Sequence, residues 1–248
     1  MREPHHLNNA PIREALVDIF VEFPGDMEPS SQVKVLESLV AKVKEEYPNV
    51  QNVAEGQLQV DFKEKQGRFE QNVLGFRCFN GDNNRAVQFR RDGFTFNWLR
   101  PYTEWADFRS QAARMWQLYR EAATPAKVVR LGLRFINDLA LPLPFDSFGE
   151  YLVADPIVPK ELPQGLSRFL TRVTLDNEEG TASATLTQAF EGVTDPDRVN
   201  VILDIDTRIQ AEFAPEDSAI WERLDGLRDF KNKIFFASLT DKAVRLFE

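Results

Sequence analysis

Residues 85–141 read RAVQFRRDGFTFNWLR (85–100), PYTEWADFRSQAARMWQLYREAATPA (101–126) and KVVRLGLRFINDLAL (127–141). Alternation on both sides of Asp92-Gly93 predicts a β-hairpin, because Asp-Gly supplies the positive φ that a two-residue type I′ turn demands. Such a loop pairs Arg91 with Phe94, Phe89 with Phe96 and Val87 with Trp98, which collects the large apolar groups on one face. The other face then sets Arg90 opposite Thr95 and Gln88 opposite Asn97. Thr103 is placed to cap a following helix, with Glu104 and Asp107 near its positive end. Trp105, Phe108, Ala112, Met115, Trp116 and Tyr119 form one stripe at helical spacing. Thr124-Pro125 ends it. Residues 128–141 alternate again, with Val129, Leu131, Leu133 and Phe135 on one face and Arg130 and Arg134 on the other. This order predicts an α+β fold, an antiparallel sheet packed by long amphipathic helices.

Working outward, residues 15–23 (ALVDIFVEF) alternate, with Val17, Ile19, Val21 and Phe23 forming a wholly apolar set. Val33, Leu36, Val40, Val43 and Tyr47 mark a helix over 30–47, capped by Ser30 or Ser31 and stopped by Pro48. Residues 57–62 alternate with Leu58, Val60 and Phe62 on one face, and 73–79 read as a further strand. Residues 142–165 hold five prolines (Pro142, Pro144, Pro156, Pro159, Pro163) and read as an irregular connection with a short helix at 147–153. Strands follow at 168–175, 181–190 and 199–213, with turns at 177–180 and 192–197. A helix after Pro215 carries Ile220, Trp221, Leu224, Leu227 and Phe230 on its apolar side, and Thr240 caps a last short helix over 241–247. The expected organisation is an N-terminal α+β half (1–141), the proline-rich connection (142–165) and a C-terminal half (166–248). The connection is either a domain boundary or a crossover around one sheet. Both halves run strands and then a Trp-bearing helix, an order compatible with structural duplication.

Composition removes several mechanisms. The chain has 248 residues, of which 43% are apolar and twenty are Phe, so it folds around an aromatic-rich core. A formal charge of -9 repels phosphate backbones on average, so nucleic acid is not the expected partner. Cys78 is the only cysteine, which rules out an intrachain disulfide or a thiolate metal cluster. His5 and His6 are the only histidines, adjacent near the N-terminus, which leaves no imidazole for a catalytic triad elsewhere. No apolar run approaches the roughly 20 residues of a membrane span, and residues 1–11 lack a signal-peptide core. A cytoplasmic setting without membrane contact is expected. Neither Gly-x-Gly-x-x-Gly nor a phosphate loop ending in Gly-Lys-Ser/Thr occurs. Ser31-Gln32-Val33-Lys34 matches Ser-x-x-Lys without the partner motifs of serine acyl enzymes, and Ser31 reads instead as a helix cap.

Several segments resemble an uncharacterised, sporadically distributed family of bacterial proteins of similar length. They are Asn9-Ala10-Pro11-Ile12-Arg13-Glu14-Ala15, the block from Val87 to Phe94 with Pro101-Tyr102-Thr103-Glu104-Trp105, the run from Arg130 to Asn137, and Leu239-Thr240-Asp241-Lys242. The resemblance spans nearly the whole chain. It carries no activity and no catalytic residue. The family's patchy distribution implies a role beside mobile or defence genes.

Five constellations have functional readings. Alternation sets Arg130, Arg134, Arg172, Thr174, Thr185, Thr187, Asp204 and Asp206 opposite the buried faces of their strands. Together they form either a ligand groove or interface, or a solvated face with cross-strand ion pairs. Trp98, Tyr102, Trp105, Phe108, Trp116 and Tyr119 could stack on a base or sugar, but helical spacing favours core, with Trp98 and Trp105 expected to meet. Asp204-x-Asp206 and Asp195-Pro-Asp197 are weak cation signals, the second better read as turn chemistry. Residues 9–14 either form an arm to another subunit or pack on their own sheet. The expectation is a non-catalytic binding or interaction protein that self-associates, without metal or cofactor. The alternative is an enzyme or receptor for a small anionic ligand. Its candidate ligand-binding residues are Arg130, Arg134, Arg172, Asp204 and Asp206.

Overall fold

The computed structural model describes residues 3–25, 27–61, 66–193 and 195–248, and the side chains of 56–71 are not described. Strand β1 (Ile12–Glu22) buries Ala15, Val17, Ile19 and Val21 and leaves Leu16, Asp18 and Phe20 half-buried on the opposite face. Period two alone produces this division. Helix α1 (Pro29–Val43) follows, then a meander of β2 (Asn49–Asp61), β3 (Gln66–Phe79), β4 (Arg85–Arg90) and β5 (Gly93–Leu99), and then helix α2 (Trp105–Ala123). The second part runs β6 (Lys127–Pro142), a 3-10 turn (Phe148–Glu150), β7 (Phe169–Asp176), β8 (Ser183–Phe190), β9 (Arg198–Phe213), α3 (Ala219–Ser238) and α4 (Asp241–Val244). All strands join one antiparallel sheet in the order β2-β3-β4-β5-β1-β6-β9-β8-β7. Mixed α and β with an antiparallel sheet agrees with the expectation. The facing expected for Leu58, Val60 and Phe62 lies outside the described residues.

The hairpin forms, but its register differs from the sequence reading by two residues. Phe89 pairs with Phe94, Val87 with Phe96 and Arg85 with Trp98, so the loop is Arg91-Asp92 rather than Asp92-Gly93. Neither loop residue has positive φ, so the turn is not type I′. The cause is tertiary: Arg91 N donates to Leu74 O and Val21 N donates to Asp92 O, which draws the loop into pairing with β3 and β1. Gly93 becomes the first residue of β5, where a Cβ would lie 2.4 Å from Ile19 O. A shift of two preserves facing, so the apolar face survives the change.

Helix α2 lays its stripe on that face. Phe96 meets Phe108 at 5.6 Å between ring centroids, Phe94 meets Trp116 at 5.9 Å, and Tyr119 Oη donates to Arg90 O at 2.8 Å. Trp98, Phe108, Trp116 and Tyr119 are therefore core, while Tyr102 and Trp105 are half-buried against it. Trp98 and Trp105 do not stack on each other; both pack on Phe108 instead. Burying each such ring contributes on the order of 2–3 kcal/mol. Helix α1 packs on β3, β4 and α2, while α3 packs on β6 and β9. Phe230 borders both apolar clusters, one centred on β1 and α2 and the other on β9 and the end of α3.

Local details depart from the sequence reading at helix ends. Glu28 precedes α1 with Pro29 in its first turn, so Ser30 and Ser31 lie inside the helix. Glu104 precedes α2, and Thr103 Oγ1 donates to Asp107 rather than capping the backbone. Thr240 does cap α4, accepting from Ala243 N. A bulge in β6 between Val128 and Arg130 buries Val128 in place of Val129. Residues 142–165 connect β6 to β7 within the one sheet and are fastened to the end of α3. Val153 N donates to Ser238 O and Thr240 N donates to Tyr151 O. The segment before β1 lies against the chain's own C-terminal end, where Asn9 N donates to Phe247 O.

Candidate functional site

The sheet face opposite the helices is polar across its centre. Register sets four rungs across β1, β6, β9, β8 and β7. One rung runs Glu14, Ile136, Asp204, Thr187, Arg172. The next runs Leu16, Arg134, Asp206, Thr185, Thr174. The third runs Asp18, Gly132, Arg208, Ser183, Asp176, and the last begins Phe20, Arg130, Gln210. The five predicted site residues therefore share one face, in agreement with their alternation. They do not share one contact. Arg172 stands on the outermost strand, exposed and three strands from β6, roughly 14 Å at ordinary strand spacing.

Arg134 and Asp204 form a closed fork. Arg134 Nε donates to Asp204 Oδ1 at 2.8 Å and Nη2 donates to Oδ2 at 2.6 Å. The Asp204 hydrogen bonds raise the pKa of Arg134. The fork takes two of the five guanidinium N–H donors and offsets the charge, so Arg134 attracts an anion less than an unpaired arginine does. Asp206 lies between Arg134 and Arg208, and burial raises its pKa although both arginines oppose the shift. Toward β5, Arg90 donates to Thr95, and Thr95 donates to Asp18. These contacts tie the third rung at Asp18 to β4 and β5.

Arg130 and Arg208 remain available. They line one recess of about 410 Å³ with Ser183, Thr181, Asp176 and Gln210, at the β7–β8 turn end of the sheet. The Arg130 guanidinium carbon sits 3.7 Å from the Phe20 ring centroid, and its Nε is buried without a hydrogen-bond partner. Arg208 Nε donates to Ser183 Oγ at 3.1 Å. Among the described residues no carboxylate reaches ion-pair distance of either guanidinium. No family model and no curated protein matches the chain. The recess must be interpreted by its own chemistry. Its guanidinium N–H groups, its hydroxyls and the Gln210 amide suit an acceptor with several oxygens, such as a carboxylate or phosphate.

Arg208 was not among the sequence candidates, although Asp204-x-Asp206-x-Arg208 continues the same period. Lys231 was also missed. Its signal is a charged residue inside the apolar stripe Leu224, Leu227, Lys231, Ile234, all buried on α3. Cys78 is buried, and burial pushes its thiol up to about 11, so little thiolate exists at neutral pH. No group of His, Cys, Asp and Glu suited to a metal occurs among the described residues, nor does any helix long and apolar enough to cross a membrane.

Proposed function

We propose that this is a non-catalytic binding protein whose open sheet face takes an anionic group between Arg130 and Arg208. The observation that carries the reading is the pair of guanidiniums in one recess, neither within ion-pair distance of a described carboxylate although Asp176 lines the recess and Asp206 acts on Arg208 from further off, and one with a buried, unpartnered Nε. Guanidinium keeps its proton at neutral pH, so these groups bind and orient rather than transfer protons. The ligand is a small carboxylate or phosphate, or the acidic side chain of a protein partner. Thermal denaturation with inorganic phosphate and a panel of di- and tricarboxylates tests this. Wild type should be stabilised by at least one anion and Arg130→Gln should lose that response, while Arg172→Gln retains it. No response to any anion would remove the reading.

Self-association through β7 is a second reading, favoured by an observation of its own. Strand β7 is the edge of the sheet, with Leu170, Val173 and Leu175 exposed at 70%, 48% and 41%. Open edges with apolar side chains accept another strand. We further read the chain as two similarly built halves. β1 to α2 and β6 to α3 each run strand, crossover, meander and helix, and they meet at the β1–β6 pair. A cytoplasmic setting and a place beside mobile or defence genes complete the proposal, on sequence grounds alone.

A further inference from the structure

On the helix-covered side of the sheet, a cavity of about 550 Å³ lies between the N-terminal segment, the start of α2 and the second half of α3. Leu7, Tyr102, Trp105 and Phe135 give it apolar and aromatic walls. Lys231 also lines it, although only 7% of this residue is exposed. Its Nζ lies 4.0 Å from the Phe135 ring centroid. Among the described residues nothing donates to or accepts from that amine, and no carboxylate comes within ion-pair distance. Lysine stems usually carry their charge out to water. Here the stem delivers the amine inward.

A buried ammonium without a counter-ion is unstable relative to the free amine. Burial is the main cause, and Arg228 one turn earlier adds to it; together they hold Lys231 down to about 7. Roughly half of the molecules then carry the unprotonated amine near neutral pH, against well under 1% for an exposed lysine. The charged groups around the cavity are Arg228 and Asp229 of α3, Glu104 before α2, and His5 and His6 of the N-terminal segment. Asp229 opposes the shift weakly and is engaged by Arg228 at 3.6 Å, while His5 is engaged by Glu248 at 3.4 Å.

We propose that Lys231 is a reactive amine that captures an aromatic aldehyde in this cavity as an imine. The aromatic walls receive the flat body of the compound and place its carbonyl carbon at Nζ. The nitrogen lone pair adds to that carbon while the C=O π pair moves to oxygen. The carbinolamine then loses the oxygen and two protons as water, leaving C=N. No oxidant or further co-reactant is needed. This site is separate from the arginine recess and does not depend on it.

The test uses the full chain, benzaldehyde as probe, and cyanoborohydride to reduce the imine in place. Peptide mapping then compares Lys231 with the exposed Lys34, Lys160 and Lys233. Lys231 should be labelled at least about tenfold faster near pH 7, and its advantage should shrink as pH rises toward the ordinary lysine range, where the exposed amines also lose their protons. Labelling of Lys231 no faster than that of the exposed lysines overturns the proposal. Because all four lysines are compared within the wild-type chain, the result does not depend on whether Lys231→Met folds.

Discussion

Arg130 lies with its guanidinium carbon 3.7 Å from the centroid of the Phe20 ring, and Arg90 approaches the same ring at 5.0 Å. Two cations thus converge on one aromatic side chain of β1, on the face that no helix covers. Stacking on a ring orients a guanidinium without consuming its N–H donors. Phe20→Leu should therefore weaken anion binding about two- to fivefold, through loss of roughly 0.5–1 kcal/mol of cation–π support, with little change in fold. Calorimetric titration with the anion found by thermal screening measures it. An unchanged affinity would mean that Phe20 is only a spacer.

The Arg134–Asp204 fork is structural in this account. Asp204 is 15% exposed and Arg134 40% exposed, so the pair is partly screened. Asp204→Asn should cost about 1–2 kcal/mol in urea denaturation and leave anion affinity within about twofold. A loss of affinity as large as that of Arg130→Gln would show that the fork belongs to the binding site.

Glycines at close approaches should be intolerant where their neighbours are backbone. A Cβ at Gly93 would meet Ile19 O at 2.4 Å, and one at Gly75 would meet Phe89 O at 2.2 Å. Gly93→Ala and Gly75→Ala should each lower stability by about 2–4 kcal/mol. Gly226, exposed within α3 with open space where a Cβ would go, should behave oppositely. Gly226→Ala should gain about 0.5–1 kcal/mol. Chemical denaturation of the three variants tests the set, and a stable Gly93→Ala would contradict the β5–β1 register.

Stability should depend on pH through two groups of opposite kind, the half-buried Asp206 and the buried Lys231. The Asp206 carboxyl is raised above its ordinary value, mainly by burial. The native state therefore holds its proton more tightly than the unfolded chain, and stability is lost as pH rises through its folded value. Asp206→Asn should raise stability at neutral pH and have little effect below about pH 4, where both states are protonated. Lys231 is lowered to about 7, so the unfolded chain binds the extra proton between about 7 and its ordinary value near 10.4. Stability should rise across that window, by a few kcal/mol in all, and Lys231→Met should flatten the rise. A wild-type profile flat from pH 7 to 10 would show that Lys231 is solvated.

The β7 edge makes its own prediction. Leu170→Lys with Val173→Lys places charge on both faces of the strand, a device that protects exposed edges. If wild type self-associates there, light scattering should show the mass fall to that of a single chain. A wild type already monomeric at high concentration would end that reading.

Facing was legible in the sequence, and pairing was not. The set Arg130, Arg134, Asp204 and Asp206 shares a face because period two is local, and a register shift of two residues, as occurred at Arg91-Asp92, leaves it intact. The shift was hidden because the hydrogen bonds that set it come from Leu74 and Val21, distant in sequence. Which arginines are free was hidden for the same reason. Arg134 is occupied by Asp204, seventy residues away, and Arg130 is left open where its register partners are Phe20 and Gln210. The Val128 bulge also escaped the pattern, since one extra residue reverses the phase without any compositional mark.

The most direct test of the anion site is an NMR titration of the arginine Nε–Hε signals with inorganic phosphate, followed by the best carboxylate from the thermal screen. The account predicts saturable shifts of Arg130 and Arg208 with one common dissociation constant, while Arg134 stays still in its fork. Saturable shifts confined to other arginines, or none at all, would contradict it.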